Sequence, residues 1–372
     1  MSTTVGHLLP LLDRLAPPRL AEAWDNVGLQ IGSRSWPVRS IWTALDPLPE
    51  VVARACDNSV DLLVTHHPLF FKPLTQIDAG SPTGTIVDLA LSHRLAIYSA
   101  HTNLDSVRGG VNDELARRLG LTRVQALSGG MPVEMVKLVV FVPKPNVDDV
   151  LETLFALDAG RIGRYAHCTF RCQGVGTFTP DADATPASGT PGALNEVGEA
   201  RIEVRLAVDA LDRVVNALKA VHPYETMAYD AYPLAVRDPA IGLGRIGALP
   251  EALTLEELAR RVKTRLGLGA VKVVGERTMT VRQVAVCSGS GGSLLHAAVA
   301  AGAQVFVSGD LGYHTARDAQ QAGVGLIDAG HFGTEQLIVT VLADAIAESL
   351  GQAGIDAVVA PADMERDPFD YL

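Results

Sequence analysis

Strand-like apolar runs alternating with amphipathic helical stretches fill both ends of this 372-residue chain, and no other feature restricts its fold as tightly. Near the amino terminus, Val5–Leu15 has helical apolar spacing, Ser40–Leu45 suits a strand, Pro49–Asn58 suits a helix, and Asp61–Thr65 suits a buried strand. Thr83–His93 then reads as helix and Leu95–Ala100 as strand, with Asn112 placed to cap a helix over Asp113–Leu119 that Gly120 closes. Beyond residue 280 the style returns. Val281–Cys287 is a predicted strand, followed by the glycine-rich turn Ser288–Gly292, a helix through Ala301, a strand over Gln304–Ser308 and a helix over Leu311–Ala322. A strand over Val324–Asp328 and one long helix from about Thr334 to Leu350 finish the pattern. Repeated strand–helix units predict an α/β fold with mostly parallel sheets covered by helices.

The middle follows a different rule. Strands are expected over Lys137–Val142, Tyr165–Phe170, Val175–Phe178, Ala200–Ala207 and Met227–Val236, with helices over Val147–Leu157 and Ala210–Val221. That order approximates a ferredoxin-like (α+β) βαββαβ module with extra strand pairing. Its internal loop, Pro180–Gly192, is rich in Pro, Ala, Asp and Gly. A chain of this length exceeds what one core usually serves. The expected layout is therefore a split α/β catalytic or binding domain, with a first half over 1–130, an inserted module over 131–236, and a second half over 237–372.

Charge and cysteine usage narrow the setting. A net charge of −11 argues against a general nucleic-acid binder, because phosphate contacts need a basic surface. The stretch Met1–Leu12 lacks the marks of a secretory signal, and no run of roughly 18 apolar residues follows, so a cytoplasmic protein without membrane contact is expected. Four cysteines, Cys56, Cys168, Cys172 and Cys287, are too few and too scattered for a disulfide framework and read as reduced, mostly buried thiols.

Polar chemistry collects where the predicted strands end. His66 and His67 follow Thr65, Asp105 lies just beyond the strand ending at Ala100, and His331 and Glu335 follow Asp328. Ligands of open α/β sheets gather at the carboxyl ends of strands. Taken singly, the histidine pair would more readily be a strand end or core contact, His331 and Glu335 a surface i,i+4 pair, and Asp105 a turn residue. Taken together they form a set that zinc- or iron-type ions accept, imidazole plus carboxylate. Neighbouring side chains in extended backbone point to opposite faces, so His66 and His67 do not readily grip one ion, and two ions would resolve that geometry. Pro68 keeps His67 extended.

The segments Trp24-Asp25-Asn26-Val27-Gly28-Leu29, Thr65-His66-His67-Pro68, Ser99-Ala100-His101-Thr102-Asn103-Leu104-Asp105, Ser308-Gly309-Asp310 and Asp328-Ala329-Gly330-His331 with Glu335 resemble the signatures of the dinuclear-metal-centre family. That family is also called Nif-three-like, or GTP cyclohydrolase 1 type 2-like. The middle, through Gly163-Arg164-Tyr165, Gly174-Val175-Gly176-Thr177-Phe178 and His222-Pro223-Tyr224-Glu225, is similar to the inserted module of the family's longer bacterial members. The resemblance spans essentially the whole chain. It implies His66 and Asp105 on one divalent ion, His67 and His331 on the other, and Glu335 bridging, with zinc or iron as the metal. It also implies a homohexamer, a trimer of dimers enclosing a cavity that the metal sites face.

A pair of such ions would acidify water towards a pKa of roughly 7. The expected activity is therefore metal-dependent hydrolysis of a nucleotide or other phosphorylated small molecule, with GTP ring opening as the family's named example. His101, four residues before Asp105, and His314, four after Asp310, are candidate proton carriers or orienting partners of the ligands. Trp24-Asp25-Asn26 either lines the crevice or packs and caps, and Ser288–Gly292 reads as a tight turn ahead of a phosphate cradle. The competing expectation is a non-enzymatic scaffold that stores, delivers or senses metal, or regulates a partner through the inserted module. No nucleotide fingerprint in the sequence reads guanine.

Overall fold

The computed structural model describes residues 3–128, 130–132 and 134–370, so the outermost ends of the expected 1–130 and 237–372 segments lie outside the described residues. The chain divides into two compact units, Met1–Met131 with Pro239–Leu372, and Pro132–Asp238.

The first unit holds two sheets. In one, the strands run in the order Gly28–Ile31, Ala96–Ser99, Leu62–Thr65, Ser40–Ala44 and Val358–Pro361. All pair in parallel except the Gly28–Ile31 edge. Leu62–Thr65 is buried at every position, as a central parallel strand covered on both faces must be. Thr65 lies opposite Ser99 in register. The segments carrying His66 and His101 therefore leave the sheet at the same edge.

The other sheet runs Lys272–Val274, Gly325–Asp328, Val305–Gly309, Thr280–Ser290, Arg245–Thr254 and Thr122–Ala126. Only its Gly325–Asp328, Val305–Gly309 and Thr280–Ser290 strands are mutually parallel, and the remaining pairings are antiparallel. The expectation of mostly parallel sheets is thus corrected to a mixed one. Strands absent from the sequence pattern explain the difference: Thr122–Ala126 is a largely exposed edge, and Arg245–Thr254 carries Gly247 and Pro250, so neither shows a clean apolar alternation.

Three local expectations also change. Asn112 is not a cap. The helix begins at Val111, and the Asn112 amide instead donates to the Asp105 carbonyl at 3.1 Å while its oxygen accepts from the Ser288 amide at 2.8 Å. The Thr280–Ser290 strand runs on into the predicted glycine turn. The single helix expected from Thr334 is two, His331–Glu335 and Ile338–Ala353. Thr334 Oγ1 donates back to the carbonyls of Gly330 and His331, a competing bond that bends helices.

One core joins the two ends of the chain. Leu8 and Leu12 of the first helix, Leu62 and Val64, Leu115, Val284 and Val305, and Ile338, Leu342 and Ile346 of the last helix form a single buried cluster. Full burial of such a side chain stabilises by about 1.5–3 kcal/mol. Arg245, 1% exposed, sits within this unit and donates to both oxygens of Asp113, at 2.6 and 3.1 Å, and to the carbonyls of Gly242, Gly244 and Val107.

The second unit has its own core of Leu138, Val140, Ile202, Val204, Val214 and Leu218 among others. Its sheet order is Tyr229–Pro233, Met135–Pro143, Asn195–Ala207 and Thr169–Phe178, all antiparallel, with helices Val147–Ala156 and Leu211–Val221. The two strands expected at Tyr165–Phe170 and Val175–Phe178 are one, because pairing with Asn195–Ala207 continues through Gly174 and Gly176. Cys168 is half-buried and Cys172 exposed here, so among the four free thiols only Cys56 and Cys287 are buried. Among the described residues, no helix is long and apolar enough to cross a membrane.

Candidate metal centre

At the edge shared by these strand ends, five side chains meet. The backbone bends just after Thr65, whose hydroxyl donates to the His67 carbonyl at 2.7 Å. The His66 and His67 rings consequently lie 5.0 Å apart rather than on opposite faces of a strand. His66 joins Asp105 and Glu335 in one ligand-sized group and His67 joins His331 and Glu335 in another, while the two share a third with His101.

His66 Nε2 stands 3.8 Å from Asp105 Oδ1 and 3.7 Å from Glu335 Oε1. The other oxygen of Glu335 lies 3.0 Å from Nε2 of both His67 and His331, and those two nitrogens are 3.4 Å apart. His66, Asp105 and Glu335 are all buried. His331 and Glu335 fall one turn apart on the same short helix, so both project towards the strand ends.

Outward partners fix each ring. His66 Nδ1 donates to the Ala100 carbonyl at 2.9 Å, His67 Nδ1 to Asp46 at 2.8 Å, and His331 Nδ1 to Asp310 at 2.7 Å. In the neutral tautomer that leaves every inward Nε2 as a lone pair facing carboxylate oxygens. His66 Nε2 and Glu335 Oε2 are buried without a hydrogen-bonding partner. Converging acceptors with no donor between them are costly unless a cation lies among them. The donor set fits divalent ions of the zinc or iron type, and carboxylate-oriented imidazoles are their usual supports.

The same field acts on protons. Burial works most strongly against a charged His67, yet the carboxylates of Asp46 and Glu335 raise its pKa to about 10. Glu335 likewise raises His331 to about 9, against partial burial. For His66 burial is again the largest influence, and Asp105 and Glu335 overcome it to push the pKa up. Burial, reinforced by Glu335 and opposed by His66, pushes Asp105 up, whereas His331, His66 and His67 hold Glu335 well below the usual carboxylate range despite its burial. The cluster as a whole attracts positive charge.

The glycine-rich turn is part of this wall. Gly289 has φ +59°, and a Cβ there would lie 2.1 Å from Glu335 Oε1 and 3.2 Å from His331 Nε2. Ser288 Oγ donates to Asp105 Oδ1 at 2.9 Å. The turn makes room for the Glu335 carboxylate, and its Ser288, Gly289 and Gly291 amides are taken by Asn112, Thr334 and Ser308.

The two remaining candidates separate. His101 is buried with its ring 5.2 and 5.5 Å from those of His66 and His67, and a nitrogen of each of the three rings lies within one ligand-sized group. Its Nδ1 donates to Asp25 Oδ1 at 2.9 Å, and Asp25 also accepts from the Thr102 amide and hydroxyl. His314 is exposed in the first turn of Tyr313–Ala322, its ring edge against Tyr313, and it belongs to none of the ligand groups found among the described residues. The Asp25 side chain is thus buried behind His101 as its support, and Trp24 packs edge-on against His101. Sequence reasoning missed Asp46 and Glu365. Asp46 follows the strand Ser40–Ala44 as the histidines follow theirs, and Glu365 accepts from the Leu45 and Asp46 amides at 2.7 Å each, fixing that loop. His67 and His331 open onto a cavity of about 1110 Å³.

Known proteins resemble the chain over nearly its whole length. The family model described as Duf34/NIF3 (NGG1p interacting factor 3) matches residues 3–368. The chain is 38% identical over 365 residues to a Halalkalibacterium halodurans protein called GTP cyclohydrolase 1 type 2 homolog, covering 98% of each. It is 36% identical to the Bacillus subtilis protein of the same name, again over 98% of each. A crystal structure of a Bacillus cereus protein related to NIF3 superposes with a TM-score of 0.91 at 36% identity, covering 100% of both chains.

Proposed function

Since the chain belongs to the Duf34/NIF3 family, we propose that it is a dinuclear divalent-metal protein acting as a metal-dependent hydrolase on a nucleotide or other phosphorylated small molecule. One observation carries this reading: three imidazole Nε2 atoms and two carboxylates converge, largely buried, beside a cavity of substrate size. His66 and Asp105 would hold one ion, His67 and His331 the other, and Glu335 both. Zinc or iron suits the donors. When bound, such ions supply Lewis acidity and an acidified water.

The chain's own residues do the rest. Asp46 and Asp310 hold His67 and His331 with Nε2 inward. His101, oriented by Asp25, presents its other nitrogen towards the cluster, where it can take up or return a proton. His314 would act only on substrate that reaches the surface of its helix.

A second reading, a metal-holding or regulatory scaffold, draws on the cavity lining. Glu50, Asp310, Asp328, Glu365, Asp367 and Asp370 outnumber Lys272 and Arg366 there. Such a lining concentrates cations and repels anions. The reading also takes the inserted unit as a ferredoxin-like module, on the strength of its βαββαβ order, and the assembly as a cytoplasmic homohexamer, on the strength of the family resemblance; sedimentation of the full chain tests the latter.

The deciding experiment measures metal by mass spectrometry in protein prepared without chelator, then screens nucleotides, including GTP, and phosphoesters beside Glu335→Gln. Metal-dependent turnover lost in the variant supports the hydrolase. Two bound ions without turnover across the panel supports the scaffold, and no stoichiometric metal defeats both.

A further inference from the structure

Two motifs in the Pro132–Asp238 unit, Gly174–Phe178 and His222–Glu225, play no part in the metal centre, yet the fold brings them together. They meet at a pocket of about 430 Å³ whose wall includes Phe141, Phe178, Tyr224, Pro180 and Pro186, with Glu199 among its lining residues. Every element of it belongs to this one unit.

Glu199 is the anomaly. It is 8% exposed, on the strand Asn195–Ala207, and one carboxylate oxygen accepts from the Tyr224 hydroxyl at 2.7 Å. Among the described residues, no Lys, Arg or His makes an ion pair with it. Space for its second oxygen depends on Gly176, where a Cβ would fall 2.4 Å from Oε2. A carboxylate taken out of water with a single neutral donor is under-compensated.

The surroundings are braced around it. His222 is buried. Its Nε2 donates to the Phe141 carbonyl at 2.9 Å and its Nδ1 accepts from the Tyr224 amide at 3.1 Å, which fixes the start of the Tyr224–Glu225 turn. The Phe178 and Tyr224 rings lie 6.3 Å apart at the pocket wall. Burial, and then Glu199, push the Tyr224 phenol up, keeping it a donor. A second carboxylate, Glu225, stands at the lining and accepts from the Thr185 amide at 2.9 Å.

Negative charge without a counter-ion, set among aromatic faces in a small apolar pocket, is the arrangement that recognises organic cations. We infer that this pocket binds a small organic cation carrying an ammonium, amidinium or guanidinium group, with Glu199 as counter-ion and Phe178 and Tyr224 as the aromatic wall. A phosphate or carboxylate ligand would meet two carboxylates and no cation. The inference does not depend on the hydrolase reading, because it involves none of the metal-centre residues.

Calorimetric titration of the full, metal-loaded chain tests it, with benzamidine and agmatine as probes and benzamide as the neutral isostere of benzamidine. One benzamidinium per chain is expected, with benzamide at least about tenfold weaker. Glu199→Gln should weaken benzamidine by at least about tenfold while leaving metal content and melting temperature unchanged, and Glu335→Gln should bind it as tightly as the parent chain. Should Glu199→Gln fail to fold, Ala187→Trp, at an exposed position on the wall, must give the same loss by filling the pocket. Absence of heat with both cations, equal binding of benzamide, or undiminished binding in the substituted pockets overturns the assignment.

Discussion

The Nε2 atoms of His67 and His331 face each other at 3.4 Å, and each stands 3.0 Å from the same oxygen of Glu335. Residues 264 positions apart in sequence thus share one carboxylate oxygen, while His66 and Asp105 address the other side of Glu335. That division predicts stepwise loss. His331→Ala should retain the ion on the His66 and Asp105 side, and His66→Ala should retain the other. Mass-spectrometric metal content should therefore fall from two ions to one per chain in either variant. Loss of both ions from each variant would show one inseparable site and defeat the two-ion assignment.

Asp46 and Asp310 touch no inward donor, yet each holds a ring in place through Nδ1. Asparagine can still accept that hydrogen bond but without the charge that makes the imidazole a better ligand. Asp46→Asn and Asp310→Asn should each lower metal affinity by about 10–100-fold with stoichiometry intact at saturating metal. Competition against a chromogenic chelator reads this directly, and unchanged affinity in both would mean the carboxylates do not tune the rings.

Asp25 offers a pH test. Burial alone would raise its pKa, but hydrogen bonds from His101 and Thr102 lower it from the ordinary 3.8 to about 2. A carboxylate whose folded pKa is depressed contributes stability that is fully present above the unfolded value and is lost as pH falls through the folded one. Between about pH 5 and about pH 2 the parent chain should lose more stability than Asp25→Asn, measured by urea unfolding at each pH. Parallel losses in the two proteins would show that the charged Asp25 is not preferentially held in the folded state.

Much of this site is legible in the sequence. The parallel strands ending at Thr65, Ser99 and Asp328 are short, fully buried and apolar, so the strand ends and the polar residues beyond them stood out. What escaped was held by tertiary context. Asp46 follows a strand whose end carries no second polar residue, Arg245–Thr254 pairs through backbone bonds that its Gly and Pro do not advertise, and the helix break after Glu335 follows from Thr334 hydroxyl bonding. Adjacent histidines suggested two ions through opposite-facing side chains. The rings in fact sit side by side after a bend and share a group with His101, and only the carboxylate-containing groups, with Asp105 on one hand and His331 on the other, divide them.

Arg245 illustrates the cost of a buried charge in this frame. It bridges Asp113 and the carbonyls of Gly242, Gly244, Ser106 and Val107 while 1% exposed. Arg245→Met takes the guanidinium from Asp113, which keeps the Gly109 amide, and removes one donor from each carbonyl, and should destabilise by about 3–5 kcal/mol. Adding Asp113→Leu to the same chain should recover part of that loss, because the abandoned carboxylate is then gone. Urea midpoints of the two variants decide it, and a double variant no more stable than Arg245→Met would assign the whole cost to the carbonyls.

Gly289 gives the sharpest test, because it is not a ligand. Its left-handed φ of +59° disfavours any side chain, and its missing Cβ is the space that Glu335 occupies. In Gly289→Ala the new methyl lies against Oε1 of Glu335 and near Nε2 of His331, so the Glu335 carboxylate must turn away from at least one histidine. Neighbouring Gly291 supplies the control. A Cβ there would meet Ser308 Oγ at 2.4 Å and Cys287, not a ligand. Gly289→Ala should therefore lose metal affinity by at least as much as Asp310→Asn, about 10–100-fold, whereas Gly291→Ala should lower the melting temperature with far less effect on affinity. Equal affinity losses in the two variants would mean that the turn acts through general stability, and that Glu335 does not depend on the space beside it.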